Sequence, residues 1–196
     1  MSAVRRSPPT APFPGLHTPA AGFDEPMAML EACHDRMRRT LGLLGRICER
    51  VAAGRVDTAV HQAAADVVRY FDQAGPHHHE DEEQHIFPRV LAHATDAAVR
   101  AAVMRLQEDH LAMEAQWAKL RTPLAAMAAG HAEGFGAAQM EWARAFADMY
   151  AAHLAVEDTL VFPAAAALLD EAELRCIGDE MAGRRGAPRP GSQGAT

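Results

Sequence analysis

The sequence predicts an all-α fold: an up-down-up-down antiparallel four-helix bundle, flanked by N- and C-terminal segments without fixed structure. Three observations carry that reading. Alanine and leucine are abundant while Tyr and Trp number 2 each, a balance that favours helix over sheet. Four long stretches place apolar residues at alternating steps of three and four, the mark of one buried helical stripe. Short breaks containing Gly or small polar residues separate them, "AAGRVD" at 52–57, "LAHATD" at 91–96 and "AAGHAEG" at 128–134. Helices of about 25 residues would be roughly 38 Å long, and loops this short make successive helices antiparallel.

Residues 1–23 are rich in Pro, Ala and Gly and are expected to be disordered. The bundle domain is expected to span 24–182. It opens at "DEPMAML", with Asp24 as N-cap and Pro26 tolerated in the first turn. The first stripe is Met27, Leu30, His34, Met37, Leu41, Leu44 and Cys48. The second is Val60, Ala64, Val67, Phe71, Ala74 and His78, and Pro76 inside it is expected to kink or locally open the helix. The third runs Val99, Val103, Leu106, His110, Met113, Trp117 and Leu120, with Pro123 expected to end or bend it. The fourth runs Phe135, Gln139, Trp142, Phe146, Met149, His153, Val156 and Leu160. From Gly183 the composition returns to that of the N-terminal segment, so 183–196 reads as a second disordered tail.

Composition narrows the function classes. A net charge of −7 argues against a nucleic-acid footprint. No apolar run approaches the ~20 residues that a membrane span needs. The basic N-terminus lacks an apolar core and does not read as a secretory signal. Cys33, Cys48 and Cys176 are too few and too scattered for a disulfide framework, so a reducing cytoplasm is the expected location. No Ser-His-Asp arrangement and no phosphate-binding Gly loop is present.

Each of the four stripes carries one histidine where Leu, Met, Val or Phe would otherwise stand. A single core histidine is usually hydrogen-bonded filler, so the question is whether the four meet. In an antiparallel pair, residues at one height lie equally far from the connecting turn. The sequence midpoint of His34 and His78 is 56, that of His78 and His110 is 94, and that of His110 and His153 is 131.5; each falls in one of the three breaks. Four inward histidines therefore share one level. A second regularity adds carboxylates. "HHHEDEEQHIFP" at 77–88 overlays "HLAVEDTLVFP" at 153–163, matching His78 with His153, Glu82 with Glu157, Phe87 with Phe162 and Pro88 with Pro163. Each glutamate lies one turn past its histidine on the same face. Carboxylates in a core need partner charge. Four imidazoles and two carboxylates without a thiolate suit a pair of borderline or hard metals better than one tetrahedral zinc. His79 and Glu83 also stand four apart, but the overlay and the stripe both select His78 with Glu82. On that register His79→Ala would keep both metals.

With "CHDRM" around His34, "HHEDEEQHIFP" from His78, "EDHLAME" around His110 and "HLAVEDTLVFP" from His153, the chain resembles the hemerythrin-like (HHE cation-binding) domains over roughly residues 24–170. The resemblance implies a non-haem di-iron centre, oxo-bridged when oxidised, held by His34, His78, Glu82, His110, His153 and Glu157, with the two glutamates bridging. Oxygen-carrying hemerythrins use a further histidine one turn after the third-helix histidine, where this chain has Glu114. It is more similar to a bacterial branch of di-iron proteins of nitrosative stress and iron–sulfur repair. The expected role is binding or sensing a small diatomic, O2 or NO, in the cytoplasm. The alternative is NO or peroxide reduction, or iron donation for cluster repair. Turnover needs an electron entry route, and the absence of a second cofactor motif favours binding. Met37, Phe71, Met113, Trp117 and Met149 are expected to keep the pocket dry. His77, His79 and His85 read as surface, the alternative being that one of them orients a ligand; Glu80, Asp81 and Glu83 read as a solvated face, and Asp35 and Arg36 as solvent-facing or bracing residues. Cys33 points about 100° away from His34 around the helix. His17, His61, His93 and His131 fall in tail, surface or loop.

Overall fold

The computed structural model describes residues 21–187, and all regular structure among them is helical. The sequence expectations for residues 1–20 and 188–196 lie outside the described residues. Helix α1 spans Pro26–Ala52 and α2 Thr58–Asp81; a π-helical turn, Glu82–Ile86, joins α2 to α3, Phe87–His93. Helix α4 spans Ala97–Ala128 and α5 Ala137–Val156; a second π turn, Glu157–Val161, joins α5 to α6, Phe162–Leu168. Helix α7, Glu171–Arg184, closes the described chain.

Local chemistry explains the ends. The Asp57 carboxylate accepts from Val60 N–H at the start of α2, and Asp96 accepts from Ala98 N–H at the start of α4. Helix α1 differs from expectation: its N-cap is Glu25, without a side-chain cap, and Asp24 does not fill that role, although Pro26 does occupy the first turn. Gly54 and Gly130 end the loop-side turns of α1 and α4 at φ +65° and +70°, a region that strains any residue with a Cβ.

Neither internal proline breaks its helix. Helix α2 runs through Pro76 and α4 through Pro123. The interruptions come instead at the two Phe-Pro pairs. Pro88 and Pro163 have no N–H to return to the preceding turn, and their rings crowd the carbonyls four residues back. In both places the chain widens by one residue. Phe87 N–H then donates to the Glu82 carbonyl, and Phe162 N–H to the Glu157 carbonyl, five residues back rather than four.

Helix α1 packs on α2 and α5, and α4 packs on the same two, so four helices close around one core. The buried residues fall into two apolar clusters. One holds Met37, Leu44, Val67, Phe71, Met113, Leu120 and Phe146; the other holds Leu30, Ile86, Phe87, Val103, Leu106, Val161 and Phe162. The boundary between them passes through His34, His78, His110 and His153. The fourth stripe is turned slightly from the one expected: Ala143, Phe146, Tyr150, His153, Glu157 and Val161 are buried, while Trp142, Met149, Val156 and Leu160 are half-buried.

The continuous rod Ala137–Leu168, 32 residues, is long and apolar enough to cross a membrane by length and composition alone, a property the sequence reading did not anticipate. Its buried stripe packs within the helical core. Helix α7 is also unanticipated. Asp170 and Glu173 form a reciprocal capping box, and Ile177 and Met181 enter the second apolar cluster. Its C-terminal Arg184 and Arg185 both pair with buried Asp81. Ordered structure thus continues past residue 183, where the tail was expected to begin.

Candidate metal centre

The six side chains singled out by spacing meet in the layer between the two apolar clusters, all of them buried. Helix α1 supplies His34 and α2 supplies His78. Helix α4 supplies His110 and α5 supplies His153. Each π turn begins with one of the glutamates. The Nε2 atoms of His34 and His78 are 3.0 Å apart, and those of His110 and His153 are 3.2 Å apart. The histidines therefore form two pairs, with all four Nε2 atoms inward.

The carboxylates span the pairs. Glu82 Oε1 lies 3.0 Å from His78 Nε2 and 3.9 Å from His34 Nε2, while its Oε2 lies 3.4 Å from His110 Nε2. Glu157 Oε2 lies 3.2 Å from His34 Nε2, while its Oε1 lies 2.9 Å from His153 Nε2. Each glutamate thus presents one oxygen to each histidine pair. None of these four carboxylate oxygens has a properly oriented hydrogen-bond donor. Leaving buried carboxylates so poorly satisfied costs several kcal/mol unless positive charge compensates. The donor atoms fall into two overlapping groups, His34–His78–Glu82–Glu157 and Glu82–His110–His153–Glu157, each lying within 4.8 Å of one another. A pair of cations sharing both carboxylates fits this donor set.

Protons show the same demand. Burial alone would lower the pKa of His34, but Glu157 and Glu82 outweigh it and raise it to about 9. Burial likewise opposes protonation of His78, yet Glu82 and Cys33 push its pKa well above the ordinary value. Desolvation would raise Glu82, and His78, His110 and His34 instead hold it well below the usual carboxylate range.

The outward ring nitrogens are braced by a second set of groups. His34 Nδ1–H donates to Asp158 Oδ1 at 2.6 Å, and Asp158 is itself held by Arg38. His110 Nδ1–H donates to Glu83 Oε1 at 2.8 Å. His153 Nδ1 faces Asp109 at 3.7 Å. His78 Nδ1 has no hydrogen-bond partner. Burial would raise the Cys33 thiol, but His78 and Arg36 outweigh it and hold it below its ordinary value. Phe162 stacks on His34 at 4.8 Å and Phe87 on His110 at 5.5 Å, so the two Phe-Pro phenylalanines seal the layer from the α3 and α6 side. On the other side Met37, Phe71 and Met113 are buried as expected, Trp117 and Met149 only partly.

Several flanking assignments change. The His79 ring is half-buried rather than free on the surface: it stacks on His110, with centroids 3.9 Å apart and planes at 9°. Burial and the neighbouring His110 hold its pKa well below the usual value. Glu83 is exposed as expected, yet its carboxylate also accepts from His110 and orients that ring. Asp81, expected on the same solvated face, is buried and receives Arg185 at 2.5 Å, because α7 covers that side. His85 faces Glu180 at 2.7 Å, while His77 is half-buried beside Glu80. Asp35 is exposed and Arg36 donates to Cys33 Sγ. Glu114 is exposed. Asp158 and Asp109 were missed. Both lie one residue from a motif position, and an acid beside a buried histidine or glutamate was the only signal available.

An all-helical domain that buries two histidine pairs across two shared carboxylates belongs to the class of helical cation-binding domains. The sequence model of the hemerythrin HHE cation binding domain matches residues 25–165, and the chain belongs to that family. It is also similar to an uncharacterized protein of Haemophilus influenzae, 26% identical over 165 residues, which cover 84% of this chain and 92% of that relative.

Proposed function

We propose that this protein holds two iron ions at the level of the four histidines, in an up-down-up-down antiparallel bundle, and binds or senses O2 or NO in the cytoplasm. His34 and His78 would hold one ion and His110 and His153 the other, with Glu82 and Glu157 bridging. The observation that carries this reading is the division of each carboxylate, one oxygen toward each histidine pair. A reduced iron pair supplies an electron-rich centre for a small diatomic. The protein's own contribution is to position and insulate. Asp158 and Glu83 fix the tautomer and orientation of His34 and His110 and make their Nε2 atoms better donors. The Phe87 and Phe162 rings keep bulk water off the layer. The donor set contains nitrogen and oxygen only, which suits iron or manganese over softer metals.

The test is optical and stoichiometric. After anaerobic iron loading, O2 or NO should change the spectrum in proportion to protein and then stop. Sustained consumption of NO or peroxide with a supplied reductant would instead establish turnover. Rescue of a damaged iron–sulfur enzyme as iron leaves this protein would establish iron donation.

A further inference from the structure

His79 follows His78 directly and should point about 100° away from it around α2, yet its half-buried ring packs against the second histidine pair. It stacks on His110 at 3.9 Å, and its centroid is 6.0 Å from that of His153. One ring nitrogen from each of His79, His110 and His153 lies within 4.8 Å of the other two. Among the described residues, the hydrogen-bond partner of its Nε2 is the buried Tyr150, whose hydroxyl is 3.5 Å away, at the limit of a hydrogen bond. Helix α4 offers no further donor one turn beyond His110, since Glu114 is exposed.

We propose that His79 is a seventh protein donor, the third imidazole of the metal ion held by His110 and His153. The assignment rests on the two-metal reading above and makes its two positions unequal. The ion at His34 and His78 would receive two imidazoles and one oxygen from each glutamate, four donors in all; the ion at His110 and His153 would receive three imidazoles and the other oxygen of each glutamate, five in all. The less crowded ion, on the His34 side, is then the one with more room for an external ligand.

The full chain, stripped of metal and titrated anaerobically with Co(II), provides the test. Each imidazole bound to paramagnetic cobalt gives one strongly shifted, solvent-exchangeable N–H proton resonance. The assignment requires five such resonances in the protein carrying two cobalts. His79→Phe keeps a ring stacked on His110 but removes the donor, so it should show four resonances and bind its second cobalt at least about tenfold more weakly. Free imidazole added to His79→Ala should restore the second cobalt. Two cobalts with four resonances in the unsubstituted protein would overturn the His79 assignment alone, as would a His79→Phe protein that binds both cobalts with unchanged affinity. A single cobalt per unsubstituted chain would overturn the two-metal reading as well.

Discussion

His78 and His79 show how far a single residue can be read from its neighbours. The apolar stripe and the overlay both pair His78 with Glu82, and the structure places that pair 3.0 Å apart, with His79 off the Glu82 register. The stripe failed for His79 because a helix in a bundle buries a face wider than one line of residues. A long side chain 100° from the seam still meets the neighbouring helix, here α4. Asp81 departs from the solvated face for a related reason: the group opposite it, Arg185, stands far away in sequence, whereas Glu83 is exposed as expected and still reaches His110. Two measurements probe this scale. On the proposed two-iron centre, His78→Ala and Glu82→Ala should each lose at least one iron per chain by metal analysis, since one would remove a donor and the other a bridge. Asp158→Asn should retain both ions but weaken binding by roughly 10- to 100-fold, because His34 loses a charged acceptor; unchanged affinity in a metal titration would show that the 2.6 Å contact does not orient the ring.

The four long helices and their loops were legible because a 3.6-residue period and Gly-containing breaks are local signals. The π turns were not, although the Phe-Pro pairs that accompany them were visible. Periodicity reports which face is buried, not that the chain has slipped one residue to accommodate a proline. Helix α7 was missed because its capping box and its few apolar positions lie in a short stretch with little stripe to detect. Its docking is open to test. A Cβ on Gly178 would lie 1.8 Å from the Phe23 carbonyl oxygen, a backbone atom that cannot swing aside. Gly178→Ala should therefore displace α7 from the Phe23 turn, seen as faster amide exchange in 171–184, while iron content stays the same. The ion pairs of α7 also carry a pH signature. The Arg184 guanidinium beside Glu180, helped by His85 and opposed by partial burial, holds its carboxyl at about 2. A carboxyl depressed from an unfolded value near 4.5 stabilises the fold above that pH. Its contribution fades as pH falls through the folded value. Glu180 is 41% exposed, so solvent screens the effect, and Glu180→Gln should flatten the acid limb of the metal-free protein only slightly. Phe87→Ala is the larger perturbation. Its fully buried ring belongs to the second apolar cluster, and removing it should cost about 3–5 kcal/mol in denaturant unfolding.

At the scale of the whole molecule, a polar layer divides two apolar clusters, and the bundle tolerates it only if its charges are compensated. That ties stability to cation binding. An ion that binds the folded chain and not the unfolded one adds about 2.7 kcal/mol at a hundred times its Kd, which for a domain of this size corresponds to roughly 5–10 °C in Tm. Chelation should lower Tm by that order, and re-addition of metal should restore it. The same layer makes metal number the sharpest test of the account. Iron reconstitution under anaerobic conditions, followed by quantitative metal analysis and Mössbauer spectroscopy, should give two irons per chain that couple magnetically once oxidised. One zinc per chain in native material, with no uptake of iron on reconstitution, would contradict it.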